Sequence, residues 1–125
     1  MEMMKSKLTA VLGASVKPER YSNKALRMLR EHGHAVIPVH PLHKEIEGIP
    51  AVASVAELPR EVDTVTMYLG PAASESVADA LVALIPRRVI FNPGSESAPL
   101  EERLRQAGVE VERACTLVLL QTGQY

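Results

Sequence analysis

Short β-favouring runs alternate with stretches of helical periodicity along this chain, and no other feature limits its fold so tightly. Neighbouring parallel strands need a covered crossover of a dozen or more residues, usually a helix, and that crossover is right-handed. The first run, residues 8–12 (LTAVL), is closed by Gly13 and reads as a buried strand. Residues 14–21 are polar and carry Pro18, which makes them an extended loop. A helix is expected from Ser22 as cap, with Tyr21 and Leu26 as a hydrophobic staple and Ala25, Leu26 and Leu29 on its buried face. Gly33 stands where a left-handed terminator belongs.

Residues 35–39 (AVIPV) predict a second strand, interrupted by Pro38 and stopped by Pro41. Residues 43–48 are too short and polar for a crossover helix, and residues 49–53 read as a short edge strand. Ser54 followed by Glu57 has the spacing of a capping box and predicts a single helical turn. Residues 63–69 (DTVTMYL) form the next strand, after which Gly70 and Pro71 open a helix with Val77, Leu81, Leu84 and Ile85 at helical spacing. A second βα unit follows: residues 88–91 as strand, 92–96 as loop, then a helix capped by Ser97, carrying Leu100, Leu104 and Ala107 and ending at Gly108. Residues 109–112 supply a last strand, and 114–121 a terminal helix or an apolar tail. The sum is one α/β domain over residues 1–125, a Rossmann-like three-layer fold with a parallel sheet of about five or six strands and helices on both faces.

Composition narrows the function classes. With 46% hydrophobic and 23% charged residues the chain has the balance of a soluble globular domain. A net charge of −1 provides no global field for nucleic acid or anionic lipid, so any anion site must be local. Tyr21, Tyr68, Phe91 and Tyr125 are too scattered to stack successive bases. The single cysteine, Cys115, allows no internal disulfide, and no signal-like or membrane-spanning run is evident, so a cytoplasmic setting without membrane or nucleic-acid partners is expected.

In an open α/β sheet ligands sit beyond the carboxyl ends of the strands, where strand order reverses. The loops at that end are residues 13–21, 40–44, 69–71 and 92–96, and they bring together Ser15, Lys17, Arg20, His40, His43 and Lys44 as a basic rim. Gly13 lets the backbone turn without a Cβ, and the helix start near Ser22 offers unpaired N–H groups and a positive dipole end to phosphate. Gly13→Val is therefore expected to abolish binding more than folding. The dinucleotide fingerprint G-x-G-x-x-G is missing, since the first loop reads GASVKPERYSN. The second strand is followed by His40, Pro41, Leu42, His43 and Lys44, with no carboxylate among them to hold a ribose. Basic residues there suit an extra ribose phosphate, which coenzyme A carries at the 3′ and NADP at the 2′ position.

The ordered series GAS with its long loop to RYSN, VIPVHP followed by GIP, MYLG before a Pro-opened helix, FNPGSE and CTLVLL resembles the small stand-alone coenzyme A-binding protein family. It is similar as well to the nucleotide domain that begins the succinyl-CoA synthetase α subunit. The resemblance implies that coenzyme A or an acyl-CoA is held by three segments. These are Gly13 and Ala14 with the loop through Ser15, Lys17, Arg20, Tyr21 and Ser22; His40 and Pro41 with either His43 or Lys44; and Asn92, Pro93 and Gly94. The first loop departs from the synthetase pattern in lacking its second glycine. The synthetase's phosphorylated histidine belongs to a second domain without counterpart here, so the resemblance implies binding and no catalysis: a carrier, sensor or subunit whose protein partner supplies the chemistry. An NADP-linked oxidoreductase and a vestigial interaction domain are the alternatives.

Other residues have plainer readings. Cys115 could exchange with the coenzyme's thiol, with Arg113 and a helix start at Ala114 nearby, but a small buried residue accounts for it better. His40 and His43 have no Cys or acidic cluster to complete a metal site. His32 and His34 flank a helix end, where the dipole favours them. Glu96, Glu101 and Glu102 sit around a helix start and are explained by the same dipole rather than by acid–base chemistry. Ser15 lacks the G-x-S-x-G elbow of a hydrolase.

Overall fold

Ala10, Val11 and Leu12 are all buried to within 1% exposure, as only a central strand covered on both faces requires. The strand they belong to, β1 (Thr9–Leu12), occupies that place in a computed structural model that describes residues 6–125. The chain continues through α1 (Tyr21–Glu31), β2 (Val36–Val39), β3 (Glu45–Ile46), β4 (Ile49–Pro50), a 3-10 turn (Val55–Glu57), β5 (Thr64–Met67) and α2 (Pro71–Leu84). It ends with β6 (Arg88–Phe91), α3 (Ala98–Gln106), β7 (Glu110–Arg113) and α4 (Thr116–Gln121). The main sheet has five parallel strands in the order β2-β1-β5-β6-β7, flanked by helices in a Rossmann-like fold.

Period-two alternation assigns the two faces. Ala10, Leu12, Val65, Met67, Val89 and Phe91 pack against Ala78 and Leu81 of α2 and Leu100 and Leu104 of α3. On the other face Val11 packs with Leu26 and Leu29 of α1 and Leu120 of α4. The α1/α4 face also holds a polar seam. Asn92 donates through Nδ2 to Thr66 Oγ1 (2.7 Å) and the Met67 carbonyl (2.9 Å), and its Oδ1 accepts the Thr116 N–H at 2.8 Å. The buried amide thus ties β5, β6 and the start of α4 together.

Pro38 is tolerated because of where it points. Odd residues of the second strand face β1, as the Thr9 N–H bond to the Ala35 carbonyl shows, so residue 38 faces outward where no ladder N–H is needed. Its carbonyl accepts the Val52 N–H (3.0 Å), and the His40 N–H donates to the Val52 carbonyl (2.9 Å).

Several sequence expectations are corrected. Residues 49–53 do not form one edge strand: Ile49–Pro50 folds back antiparallel on Glu45–Ile46, and only Val52 bridges Val39. The hairpin turn uses Glu47 and Gly48, both at positive φ (54° and 74°). Helix α1 begins at Tyr21 with Arg20 as its cap residue and no side-chain cap, and Tyr21 is 69% exposed and staples nothing. The buried face of α2 is Ser74, Ala78 and Leu81, with Val77 and Leu84 partly buried beside them. Ile85 closes that helix in the left-handed region (φ 51°), 55% exposed. Ser97 begins α3 without a side-chain cap; its N–H donates to Glu101, which is 2% exposed and also receives Arg113 Nε at 2.9 Å. That ion pair, more than the helix dipole, explains Glu101. The C-terminal segment is helical from Thr116, with Cys115 as its half-buried cap residue. Among the described residues no helix is long and apolar enough to cross a membrane.

Candidate functional site

Strand order reverses at β1, because the chain steps outward to β2 and then returns across β1 to β5. A crevice must open where the loops after β1 and β5 part. There the structure has a cleft of about 420 Å3 lined by Gly13, Ser15, Lys17, Arg20, Tyr21, Ser22, Tyr68 and Pro93. Lys17 and Arg20 are exposed, with Glu19 between them. The loop is braced from within: Ser15 Oγ accepts the Lys17 N–H (3.1 Å), and the Lys17 carbonyl accepts the Arg20 N–H (3.1 Å). Because no side chain caps α1, the N–H groups of its first turn and the positive end of its dipole are left to whatever occupies the cleft.

Gly13 is required by the fold itself. Its φ is +83°, and a Cβ there would meet the Tyr68 carbonyl carbon at 3.0 Å and its oxygen at 3.1 Å. Gly13→Val therefore strikes the neighbouring strand end before it reaches any ligand, which reverses the expectation that binding would fail ahead of folding.

The remaining expected residues divide. Ala14 turns into the α1/α4 core at 6% exposure and does not line the cleft. The Asn92 side chain is engaged in the polar seam, so at this loop only Pro93 lines the cleft, while the Gly94 N–H donates to Glu96 Oε1 at 2.9 Å. His40, Pro41, His43 and Lys44 stand on the loop after β2, outside the cleft lining. His40 braces that loop: Nδ1 accepts the N–H groups of Leu42 (3.0 Å) and His43 (3.1 Å). Burial, and then the neighbouring His43, hold the His40 imidazole toward its neutral form, as an Nδ1 acceptor requires.

Tyr68 was not foreseen, since at the end of an apolar strand run it reads as core. Burial pushes its hydroxyl up to about 12, so it stays protonated at neutral pH and offers neither base nor nucleophile. Among the described residues that hydroxyl has no hydrogen-bond partner, though Thr66 and Thr116 lie near enough to moderate its shift. Arg113, the cation expected beside Cys115, is committed to Glu101. A larger cleft of about 560 Å3 opens between the starts of α2 and α3. It is lined by Pro71, Ala72, Ala78 and Leu100 with Glu75 and Glu96, and its Arg103 pairs with Asp79 at 2.9 Å, which among the described residues leaves no unpaired cation for an anion.

Known proteins place this site in context. The chain is 33% identical over 104 residues to acetate–CoA ligase (ADP-forming) I of Archaeoglobus fulgidus, a match covering 78% of this chain and 15% of the ligase. It is 33% identical over 66 residues to the uncharacterized protein YneT of Bacillus subtilis, covering 53% of this chain and 49% of YneT. The chain thus spans half or less of these curated relatives. A crystal structure of an uncharacterized protein superposes with a TM-score of 0.89 at 40% identity, covering 98% of this chain and all of the other. A conserved hypothetical protein from Pyrococcus furiosus gives 0.81 at 35% identity over 90% of this chain and 98% of its own. The Archaeoglobus ligase thus carries the matching segment as a small part of a longer chain. The model of the CoA binding domain matches residues 7–121, nearly the whole chain, and this protein belongs to that family.

Proposed function

We propose that this protein binds coenzyme A or an acyl-CoA in the cleft at the start of α1, as a single nucleotide-binding domain without catalytic activity of its own. One observation carries the reading: the uncapped first turn of α1 opens onto a cleft at the switch point whose rim holds Lys17 and Arg20. Helix N–H groups with a positive dipole end suit the pyrophosphate, and two exposed cations add charge-assisted bonds. His43 and Lys44, exposed on the next loop, suit the ribose 3′-phosphate. The coenzyme brings its own thiol, so a second protein can supply the chemistry.

Calorimetric titration tests the proposal. The protein is expected to bind coenzyme A more tightly than dephospho-coenzyme A by roughly 1 to 3 kcal/mol, the worth of a charged contact to the 3′-phosphate. Exchanging both Lys17 and Arg20 for Ala should weaken coenzyme A by roughly 2 to 4 kcal/mol. Undiminished affinity in the double variant, or tighter binding of NADPH, overturns the proposal. Steady turnover of NADPH or acyl-CoA by the isolated chain overturns its non-enzymatic part.

A further inference from the structure

We infer that Asn23 is the positioning residue of the cleft, a buried amide that locks the first loop to the β3–β4 hairpin through Glu47; the inference rests on the proposed coenzyme A site. Asn23 has no exposed surface. Its Nδ2 donates to the Ser15 carbonyl (2.9 Å) and to Glu47 Oε2 (3.0 Å), and its Oδ1 accepts Arg27 Nε at 2.8 Å. Arg27 in turn donates from its guanidinium to the Pro18 carbonyl at 2.8 Å. One helical pair thereby grips the loop at two carbonyls, Ser15 and Pro18, on either side of Lys17. A carbonyl fixed toward α1 sets the peptide plane, so it fixes where the neighbouring N–H points.

Glu47 shows that the lock is maintained against a local cost. It sits at φ 54°, a left-handed conformation that glycine or asparagine adopts far more readily, in the two-residue turn of the hairpin. Strain of this kind persists only where surrounding bonds over-determine it. Here they do: the Glu47 carboxylate meets Asn23, and its carbonyl accepts Arg30 at 3.1 Å. The hairpin follows directly on the loop of His40, His43 and Lys44, so the Asn23–Glu47 contact joins the two basic segments of the proposed rim. A glycine would make a better turn but would sever that junction.

Four variants test the inference by two readouts, hydrogen exchange of the loop amides of residues 15–17, 19 and 20 without ligand and calorimetric titration with coenzyme A. Asn23→Asp cannot donate to the Ser15 carbonyl and sets two carboxylates together. It should speed loop exchange at least tenfold and weaken coenzyme A about tenfold, the loss of one hydrogen bond. Asn23→Ala should do the same without the added repulsion. Glu47→Gly relieves the turn, so thermal stability should hold or rise while exchange quickens and affinity drops severalfold. Glu47→Gln keeps an acceptor for Asn23 and should behave as the parent. A purely structural role would lower stability in every impaired variant and leave the affinity of the folded fraction intact. Unchanged loop exchange in folded Asn23→Asp, or normal affinity in Glu47→Gly, overturns the inference. Should the parent itself fail to bind coenzyme A, the proposed function falls, while the exchange data still decide whether Asn23 holds the loop.

Discussion

Replacing Gly13 by alanine adds one methyl group, and the structure assigns it two separable costs. The first is conformational: at φ +83° an L-residue is disfavoured by about 1 to 2 kcal/mol. The second is steric, because the new Cβ would lie 3.0 Å and 3.1 Å from the carbonyl carbon and oxygen of Tyr68 and 3.2 Å from Leu69 Cδ2. The Tyr68 peptide cannot simply retreat, since its N–H is bonded to the Leu12 carbonyl at 2.9 Å. Overpacking of that sort costs about 1 to 3 kcal/mol, for a total of about 2 to 5 kcal/mol. With an unfolding entropy of about 2.1 cal/mol/K per residue, a chain this size loses about 4 °C of Tm per kcal/mol, so Gly13→Ala should melt about 8 to 19 °C lower. Gly33→Ala is the control, because its φ is +84° with no atom within 4 Å of the added carbon. It bears the conformational cost alone and should lose about 4 to 8 °C. Paired thermal melts followed by circular dichroism measure the difference. If the two variants melt within experimental error of one another, the close approach of β1 to β5 is not what excludes a side chain at Gly13.

Two further outcomes are expected. Ile85→Gly removes a β-branched residue from φ 51° at an exposed helix end and should raise stability by about 0.5 to 1 kcal/mol in urea titration; a lower midpoint would show that Ile85 packs more than its exposure suggests. Burial, then Lys7, His32 and Arg88, lower the His34 pKa, with Asp63 opposing, while its Nδ1 accepts the Lys7 N–H at 3.0 Å. The unfolded chain therefore takes up a proton near pH 6.5 that the folded one resists, so this contribution is complete above that pH and is lost as pH falls through the folded pKa. His34→Gln should flatten the stability profile between pH 7 and 5, and an unaltered slope would refute the assignment.

How much of this was legible in the sequence depended on whether the signal was local. Strand β6 and the glycine stops at Gly33 and Gly108 follow from residue type alone, since few residues other than glycine take a left-handed helix end readily. The hairpin was missed because each strand has two residues and its turn is Glu-Gly, a choice that α1 sustains from a distance. The cap residue of helix α1 is Arg20, two residues before Ser22, and no side-chain hydrogen bond marks that boundary, so the local serine signal points to the wrong residue. Lys17 and Arg20 were legible from their place between Gly13 and the start of α1, whereas His40, His43 and Lys44 stand outside the cleft lining. Tyr68 was not legible, since only the register of β5 beside β1 brings it against Gly13. Asn23 gave no signal either: apart from Arg27 one turn on, its partners are 8 and 24 residues away, at spacings set by the fold.

The outward turn of Pro38 also bears on how this protein can meet another. A sheet grows by offering unpaired N–H and carbonyl groups along its outermost strand. On the β2 flank Pro38 has no hydrogen to offer, and Val52 already occupies both its carbonyl and the His40 N–H. On the opposite flank β7 reads Glu-Val-Glu-Arg, with Glu110 held by Arg87 (3.6 Å), just before β6, and Glu112 by Arg88 (3.5 Å), its first residue. A second copy laid alongside β7 would bring acidic side chains close together as it paired. Extension of the sheet is thus discouraged at both margins. If the proposed function holds, a protein that takes up the coenzyme's thiol is expected to approach across the loops after β1 and β5, where the cleft opens, and not along either sheet margin.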